Sequence, residues 1–162
     1  MCDRIREWKR MQLDRGLIPV TIIEEGKRPE GPIDIRKFFT YTQGLDVIIE
    51  KCKGEPSALL EWVQNHITQQ IDTGEHWRFP YETLAVGKGD CEDGAILLAN
   101  LLLQAGYSSY RVVLAHYVTH VVVEFDGQVL DWTSSGISQP LWYCWNSKRA
   151  YTTKEHVEEW KR

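Results

Sequence analysis

The hydrophobic pattern of the chain changes character at Asp90. Over residues 91–103 the apolar side chains Ala95, Ile96, Leu97, Leu98, Ala99, Leu101, Leu102 and Leu103 occur nearly all round a helical projection, so the spacing predicts a helix buried on most sides. Asp90 suits the N-cap, Glu92 and Asp93 suit the positive end of the helix dipole, and Gly106 suits the left-handed position after the last turn. Two β-branched, alternating segments follow at residues 110–116 and 119–125, and Asp126-Gly127 is a strong hairpin signal ahead of residues 128–132. This half of the chain reads as antiparallel sheet.

Ahead of Asp90 the pattern is weaker. Ala58, Leu59, Trp62, Val63, His66, Ile67 and Gln70 recur at helical spacing after Pro56-Ser57, with Ser57 as the cap. Ile5, Trp8, Met11 and Leu13 fit a short amphipathic helix imperfectly, residues 18–23 read as a strand, and residues 26–32 form a polar loop rich in breakers. Residues 1–44 are therefore expected to be an N-terminal arm. Residues 73–89 contain Gly74, Pro80, Gly87 and Gly89 without sustained periodicity, which predicts a long loop with room for one helical turn. Long ordered loops often carry function. The tail holds Pro140, Trp142, Tyr143, Trp145 and Tyr151, then Thr152-x-x-Glu155 as a capping box for a last helix ending near Trp160. Such aromatics line a groove, close a small core or form an interface between copies.

Composition changes this picture little. With 162 residues, 43% hydrophobic and 26% charged, the chain fits one globular domain. A net charge of -4 without a long basic run disfavours a nucleic-acid partner. Cys2, Cys52, Cys91 and Cys144 form no CxxC pair, which argues against a zinc knuckle and a redox dithiol. The charged first ten residues, with Trp8 among them, do not form a secretory signal, and no stretch approaches the ~18 apolar residues of a membrane span. The expectation is a soluble protein without a membrane partner, cytoplasmic or released without a classical signal. Composition does not give the oligomeric state.

The chemistry lies at the start of the buried helix. Backbone N–H groups at a helix N-terminus lack intrahelical partners and carry about half a positive charge, which favours thiolate over thiol at Cys91. A two-residue turn at Asp126-Gly127 pairs Phe125 with Gln128, Val123 with Leu130 and Val122 with Asp131, so His120 and Asp131 become diagonal neighbours on the Val122 face. If the helix packs its N-terminus on that face, Cys91 meets His120. The roles are then nucleophile, general base and acid, and orienting carboxylate. Each residue also has a plain alternative: a cysteine before an apolar helix as a small buried hydrophobe, a His or Asp in a hairpin as structural or solvated. His116 and His120, four apart in a strand, are alternative metal ligands, with Cys91 or Asp131 completing the set. His66 and His156 read as surface or core residues, and His76 as a candidate substrate contact in the loop.

At these residues the chain resembles a known family. The run Trp77-x-x-Pro80-x-Glu82-Thr83-Leu84-x-x-Gly87-x-Gly89-Asp90-Cys91-Glu92-Asp93, followed by Ala95, the leucines and Gly106, then by His120-Val121-Val122-Val123-Glu124-Phe125 and Leu130-Asp131, is similar to the bacterial transglutaminase-like cysteine proteinases and the wider transglutaminase-like superfamily. The resemblance covers residues 45–133. It implies a papain-like α+β fold in which a central helix carrying the nucleophilic cysteine packs on an antiparallel sheet carrying His and Asp. Cys91, His120 and Asp131 take the three roles. Residues 1–44 and 134–162 become the arm and a Trp-rich C-terminal extension of one domain spanning residues 1–162.

The superfamily includes peptidases, protein cross-linking acyl transferases and other amide hydrolases, which share thiolate attack on an amide carbonyl and a thioester intermediate. The resemblance thus implies a hydrolase of peptide or isopeptide bonds acting on a protein or peptide substrate. The alternatives are a protein-glutamine acyl transferase and a non-catalytic binding or virion-structural module on the same fold. No cofactor is required by the triad. In the members that process bacterial surface adhesins, acidic residues beside the nucleophile bind calcium, and Asp90, Glu92 and Asp93 occupy matching positions; capping and the dipole explain the same residues without an ion. Those members are exported, whereas this chain shows no signal. For the oxyanion, the Cys91 backbone N–H is one expected donor, and the Trp77 indole N–H the candidate second donor, packing of the loop on the core being the alternative role for Trp77.

Overall fold

A helix that is apolar nearly all round has to be enclosed, and the computed structural model encloses α4 (Cys91–Gln104) with both sheet and helices. The structure describes residues 17–20, 31–71, 77–117, 119–138, 141–148 and 150–151. Ahead of α4 lie the two-stranded antiparallel pair β1 (Leu17–Val20) and β2 (Gly31–Asp34), a 3-10 turn (Ile35–Phe38), α1 (Leu45–Lys51), α2 (Pro56–His66), β3 (Thr68–Gln69), α3 (Pro80–Val86) and β4 (Lys88–Gly89). After it come β5 (Val112–Tyr117), β6 (His120–Phe125), β7 (Gln128–Leu130), β8 (Leu141–Trp145) and β9 (Ala150–Tyr151), an antiparallel sheet in the order β7-β6-β5-β8-β9. Among the described residues no helix is long and apolar enough to cross a membrane.

The α4 side chains from Ile96 to Leu102 are almost wholly inaccessible, packed against β5, β6 and the three shorter helices. The exception in polarity is Asn100, whose amide donates to the Phe38 and Ile96 carbonyls at 2.8 Å each and accepts from the Thr40 N–H at 2.8 Å. A buried amide satisfied in this way ties the 3-10 turn to α4, its desolvation offset by three hydrogen bonds. The two faces of the sheet are distinct, because strand side chains alternate. Val112, Leu114, Val121 and Val123 face the α4 core, while Val113, Ala115, Val122 and Cys144 form a second, smaller apolar cluster.

The hairpin register is the one expected from Asp126-Gly127: Phe125 pairs with Gln128 and Val123 with Leu130. Both turn residues have positive φ, 52° and 79°, as a type I′ turn requires. Elsewhere the structure departs from the sequence pattern. Glu55, not Ser57, is the N-cap of α2, because Pro56 takes the first helical position where its fixed φ and missing N–H are tolerated. That helix ends at His66, and the backbone at Ile67 is extended. Within the expected loop of residues 73–89, α3 forms with Pro80 at its first turn, a Glu82 carboxylate accepting from the Phe79 N–H at 3.0 Å, and Gly87 as its left-handed cap. The start and stop signals were present in a segment too short to show periodicity.

Gly31 and Pro32 belong to β2 instead of the expected polar loop, and α1, with Leu45 and Ile48 buried, was not anticipated. The segment read as a C-terminal extension supplies β8, which lies between β5 and β9 and buries Trp145 completely. The expected N-terminal helix of Ile5 to Leu13, His76, Thr152, Glu155, His156 and Trp160 lie outside the described residues.

Candidate active site

The start of α4 is held by its own acidic residues. Asp90 is the N-cap, with its carboxylate accepting from the Cys91 N–H at 2.7 Å, and the Asp93 side chain returns a bond from the Asp90 N–H at 3.0 Å, closing a capping box. Asp93 is fully buried and also accepts from the Arg78 N–H at 2.8 Å and from Arg78 Nη1 at 2.6 Å. One carboxylate therefore fastens the loop at Arg78 to the first turn. The preceding β4 is fixed by parallel pairing with β3. At Gly89 a β-carbon would sit 2.6 Å from Cβ of Asp93, so any larger residue there would displace the capping carboxylate.

Cys91 and His120 line one cleft of about 320 Å³, together with Gln69, Ile71, Asp90 and Thr119 and with Ser135, Gly136 and Ser138 of the loop after Trp132. His120 Nε2 is 2.7 Å from Asp131 Oδ2, a short bond of the charge-assisted kind. The second oxygen of Asp131 accepts from the Thr133 N–H at 2.9 Å and the Thr133 hydroxyl at 2.8 Å. Gln64 of α2 donates to the Asp131 carbonyl at 3.5 Å. His120 is buried, and its Nδ1 is the ring nitrogen left to exchange a proton once Nε2 is committed to Asp131.

The approach of Cys91 to His120 differs from the expected one. The Val122 face, to which His120 and Asp131 belong by alternation, packs its own small cluster, and α4 lies on the opposite, Val121 face. Cys91 meets β6 at its first residues, where the Val121 backbone N–H bonds to the sulfur.

Electrostatics also depart from expectation. The helix N-terminus alone would lower the Cys91 thiol, yet burial pushes it up, the Glu92 carboxylate beside it adds to the rise, and the Val121 N–H opposes only in part. The thiol donates to Glu92 Oε2 at 3.4 Å. Glu92 is buried, and that burial, with the charges of Asp93 and Asp90, pushes its carboxyl up to about 9. Asp93 is raised to about 6 by burial, against the lowering by Arg78 and the Asp90 amide.

The other expected site residues fall as follows. Trp77 is 3% exposed, stacked on Trp145 and His116 at 5.8 and 5.9 Å between ring centroids, and it does not line the cleft. This is the position of a core residue. The Cys91 N–H, expected as an oxyanion donor, is engaged by Asp90. His116 and His120 lie on different strands, since the chain turns between Tyr117 and His120, and His116 Nδ1 bonds to the Tyr117 carbonyl at 2.6 Å. The shared-face argument for a two-His metal site fails for that reason. Ligand atoms of Asp90, Cys91 and Glu92 lie within 4.8 Å of one another, whereas Asp93 is committed to Arg78 and stands outside that group. Cys52, Cys91 and Cys144 are free thiols. Arg78, Thr133 and Gln64 were not singled out from the sequence; the Asp-x-Thr spacing, in which a Thr two residues on can donate to the carboxylate, was the available signal for Thr133.

A family model described as a transglutaminase-like domain matches residues 40–158, a longer stretch than the motifs alone delimit. No curated protein matches the chain by sequence. Among solved structures, LapG of Legionella pneumophila aligns with a TM-score of 0.55 at 20% identity, over 88% of this chain and 96% of that one. Its calcium-bound form gives 0.53 at 22% identity over 74% and 84% of the two chains, and its EGTA-treated form 0.51 at 20% over 88% and 96%. At these identities the likeness is one of fold: a mixed α+β architecture with the cysteine-bearing helix against an antiparallel sheet. Because the family match takes in the cysteine helix, the His–Asp hairpin and the sheet strand beyond them, the chain belongs to the transglutaminase-like domain family.

Proposed function

We propose that this protein is a cysteine hydrolase of peptide or isopeptide bonds in protein or peptide substrates, with Cys91 as nucleophile, His120 as general base and acid, and Asp131 as the carboxylate that orients the imidazole. The observation that carries this reading is the cleft shared by Cys91 and His120, with His120 already bonded to Asp131 at 2.7 Å. The likeness to bacterial transglutaminase-like cysteine proteinases supports it.

In the first half-reaction His120 Nδ1 takes the Cys91 proton as sulfur attacks the carbonyl carbon, and the imidazolium then protonates the departing nitrogen as the C–N bond breaks. In the second, His120 takes a proton from water, the hydroxide attacks the thioester, and the C–S bond breaks to release the acid and regenerate the thiol. Transfer to an amine differs only in the second nucleophile. On the expected outcome, amide substrates incubated with a dansyl amine yield new carboxyl termini or free amine and no dansyl adduct, read by mass spectrometry. Dominant adduct formation would assign the acyl-transferase reading instead, and unchanged substrate with both would favour the non-catalytic module.

Calcium fits the acidic turn in part. Asp90 and Glu92 supply oxygen ligands of the kind calcium takes, and among the described residues no ion pair to the buried Glu92 is seen; Asp93 is bonded to Arg78. When bound, such an ion would offset the negative field around the thiol. The sign of the pH effect follows from Glu92. Its carboxyl lies above the ordinary 4.5 in the folded chain, so the folded state keeps a proton that the unfolded state releases, and stability falls as pH rises from about 4.5 to about 9. Glu92→Gln is expected to flatten that slope in a series of melting curves. Calcium is expected to raise the wild-type melting temperature more at pH 8 than at pH 6, and to leave Glu92→Gln unmoved. Identical slopes in the two proteins, or a calcium response that survives the substitution, would remove Glu92 from the site.

A further inference from the structure

One residue joins the two halves of the candidate site, and it is not a member of the triad. Past β7 the chain continues to alternate. Leu130 and Trp132 belong to the α4 core, while Asp131 between them bonds to His120. Trp132 is 5% exposed, and its indole Nε1 donates to the Cys91 carbonyl at 2.8 Å. Consecutive residues thus hold the base and the nucleophile, Asp131 the imidazole and Trp132 the backbone of Cys91.

Gly94 supplies an independent observation. It sits three residues into α4, where glycine is less favourable than alanine by about 1 kcal/mol. A β-carbon there would overlap the Trp132 ring at Cε2, Nε1 and Cδ2. The missing side chain is what lets the indole lie flat against the first turn of the helix, close enough for Nε1 to reach the carbonyl. The glycine makes room for the ring, and the N–H bond fixes which edge of it meets Cys91.

We infer that Trp132 is a positioning residue which sets the Cys91 sulfur in register with the His120–Asp131 pair, its contact surface being the Gly94 notch. The inference rests on the hydrolase reading above. Without the clamp the start of α4 is still capped by Asp90 and Asp93 and still packs on β6, but the hydrogen bond from the residue beside Asp131 to the Cys91 backbone is lost. A displacement on the order of 1 Å at a reacting atom lowers rates about 100-fold.

The test uses the full chain and p-nitrophenyl acetate, an activated ester that acylates a thiol nucleophile without a specific binding site. Acylation is followed by nitrophenolate release and normalised to the Cys91 adduct of a cysteine-directed inhibitor, counted by peptide mass spectrometry so that the other free thiols do not enter, with the folded fraction read from the melting curve. Trp132→Phe keeps an aromatic ring and deletes the N–H. It is expected to acylate about 100-fold more slowly per titrated site, with the melting temperature near that of the wild type. Benzothienylalanine at position 132, which keeps the bicyclic shape and replaces N–H by sulfur, is expected to show the same loss even if the phenylalanine variant folds poorly. A residue that only fills the core would lower stability and leave the rate per site unchanged, and that result in the benzothienyl protein would overturn the inference alone. If wild-type acylation does not depend on Cys91 and His120, the hydrolase reading falls and the inference with it.

Discussion

Cys91→Ala and His120→Ala are each expected to abolish turnover, and the double variant to be no slower than either single one. Residues that act as one unit are grossly non-additive when removed, because loss of the nucleophile leaves the base without a substrate for its proton transfer, and the reverse. The neighbours of Asp131 sharpen the third member. Its Oδ2 takes the His120 contact, and its Oδ1 takes two donors from Thr133. In Asp131→Asn, one of these faces an amide N–H₂. With the carbonyl turned to His120, the amide opposes the Thr133 backbone N–H, which has no other role to adopt; turned round, it loses the imidazole. Asp131→Asn is thus expected to retain measurable activity, at least about 10-fold below wild type, and to melt a little lower, since either orientation of the amide gives up one contact, to Thr133 or to His120. Thr133→Val, which keeps the backbone donor and deletes the hydroxyl, is expected to fall between the two. Steady-state rates on one amide substrate, corrected for titrated thiol, measure the series. Full activity in Cys91→Ala would end the hydrolase reading.

Asp93→Ala is expected to be the most destabilising single substitution at the site, by about 3–5 kcal/mol, the range for removing one partner of a buried ion pair. The size follows from what is left behind. The Arg78 guanidinium, only 12% exposed, loses the Asp93 charge at 2.6 Å, and the Arg78 and Asp90 backbone N–H groups lose their bonds to Asp93. Replacing both charges does not restore the bonds that the Arg78 and Asp90 backbone N–H groups make to Asp93; Arg78→Met with Asp93→Leu is expected to stay well below the wild type. Asp93→Asn keeps one carbonyl oxygen and is expected to lose less. Urea unfolding, read as midpoint and slope, gives the differences directly. The same carboxylate caps α4 beside Cys91, so the surviving folded fraction of Asp93→Ala is expected to alkylate Cys91 with altered kinetics. An Asp93→Ala protein of wild-type stability would mean that Arg78 finds another partner.

The elements most legible in the chain were those whose signal is local. The α4 helix announced itself through Asp90, the run from Ala95 to Leu103 and Gly106, and the hairpin through Asp126-Gly127, whose type I′ geometry fixes register without help from the rest of the fold. That register alone put His120 beside Asp131. Short elements were legible only in their boundaries: Pro80 and Gly87 bracket α3, yet seven residues are too few to show a period. β8 was hidden for another reason. A strand in the middle of a sheet is defined by its neighbours, and its pairing with β5 spans a sequence gap that no local pattern encodes.

The sequence by itself determined the members of the candidate triad, the helix end that carries Cys91 and the pairing that brings His120 to Asp131, because each depends on spacing within one element or across one tight turn. Tertiary structure decided what those groups experience. It seated α4 on the Val121 face instead of the Val122 face, buried Glu92 against a thiol that burial itself pushes up, paired Asp93 with Arg78, packed Trp77 in the core, and set Trp132 in the notch at Gly94. Burial and the distance between remote charges are properties of the packed chain, and neither is written in the order of its residues.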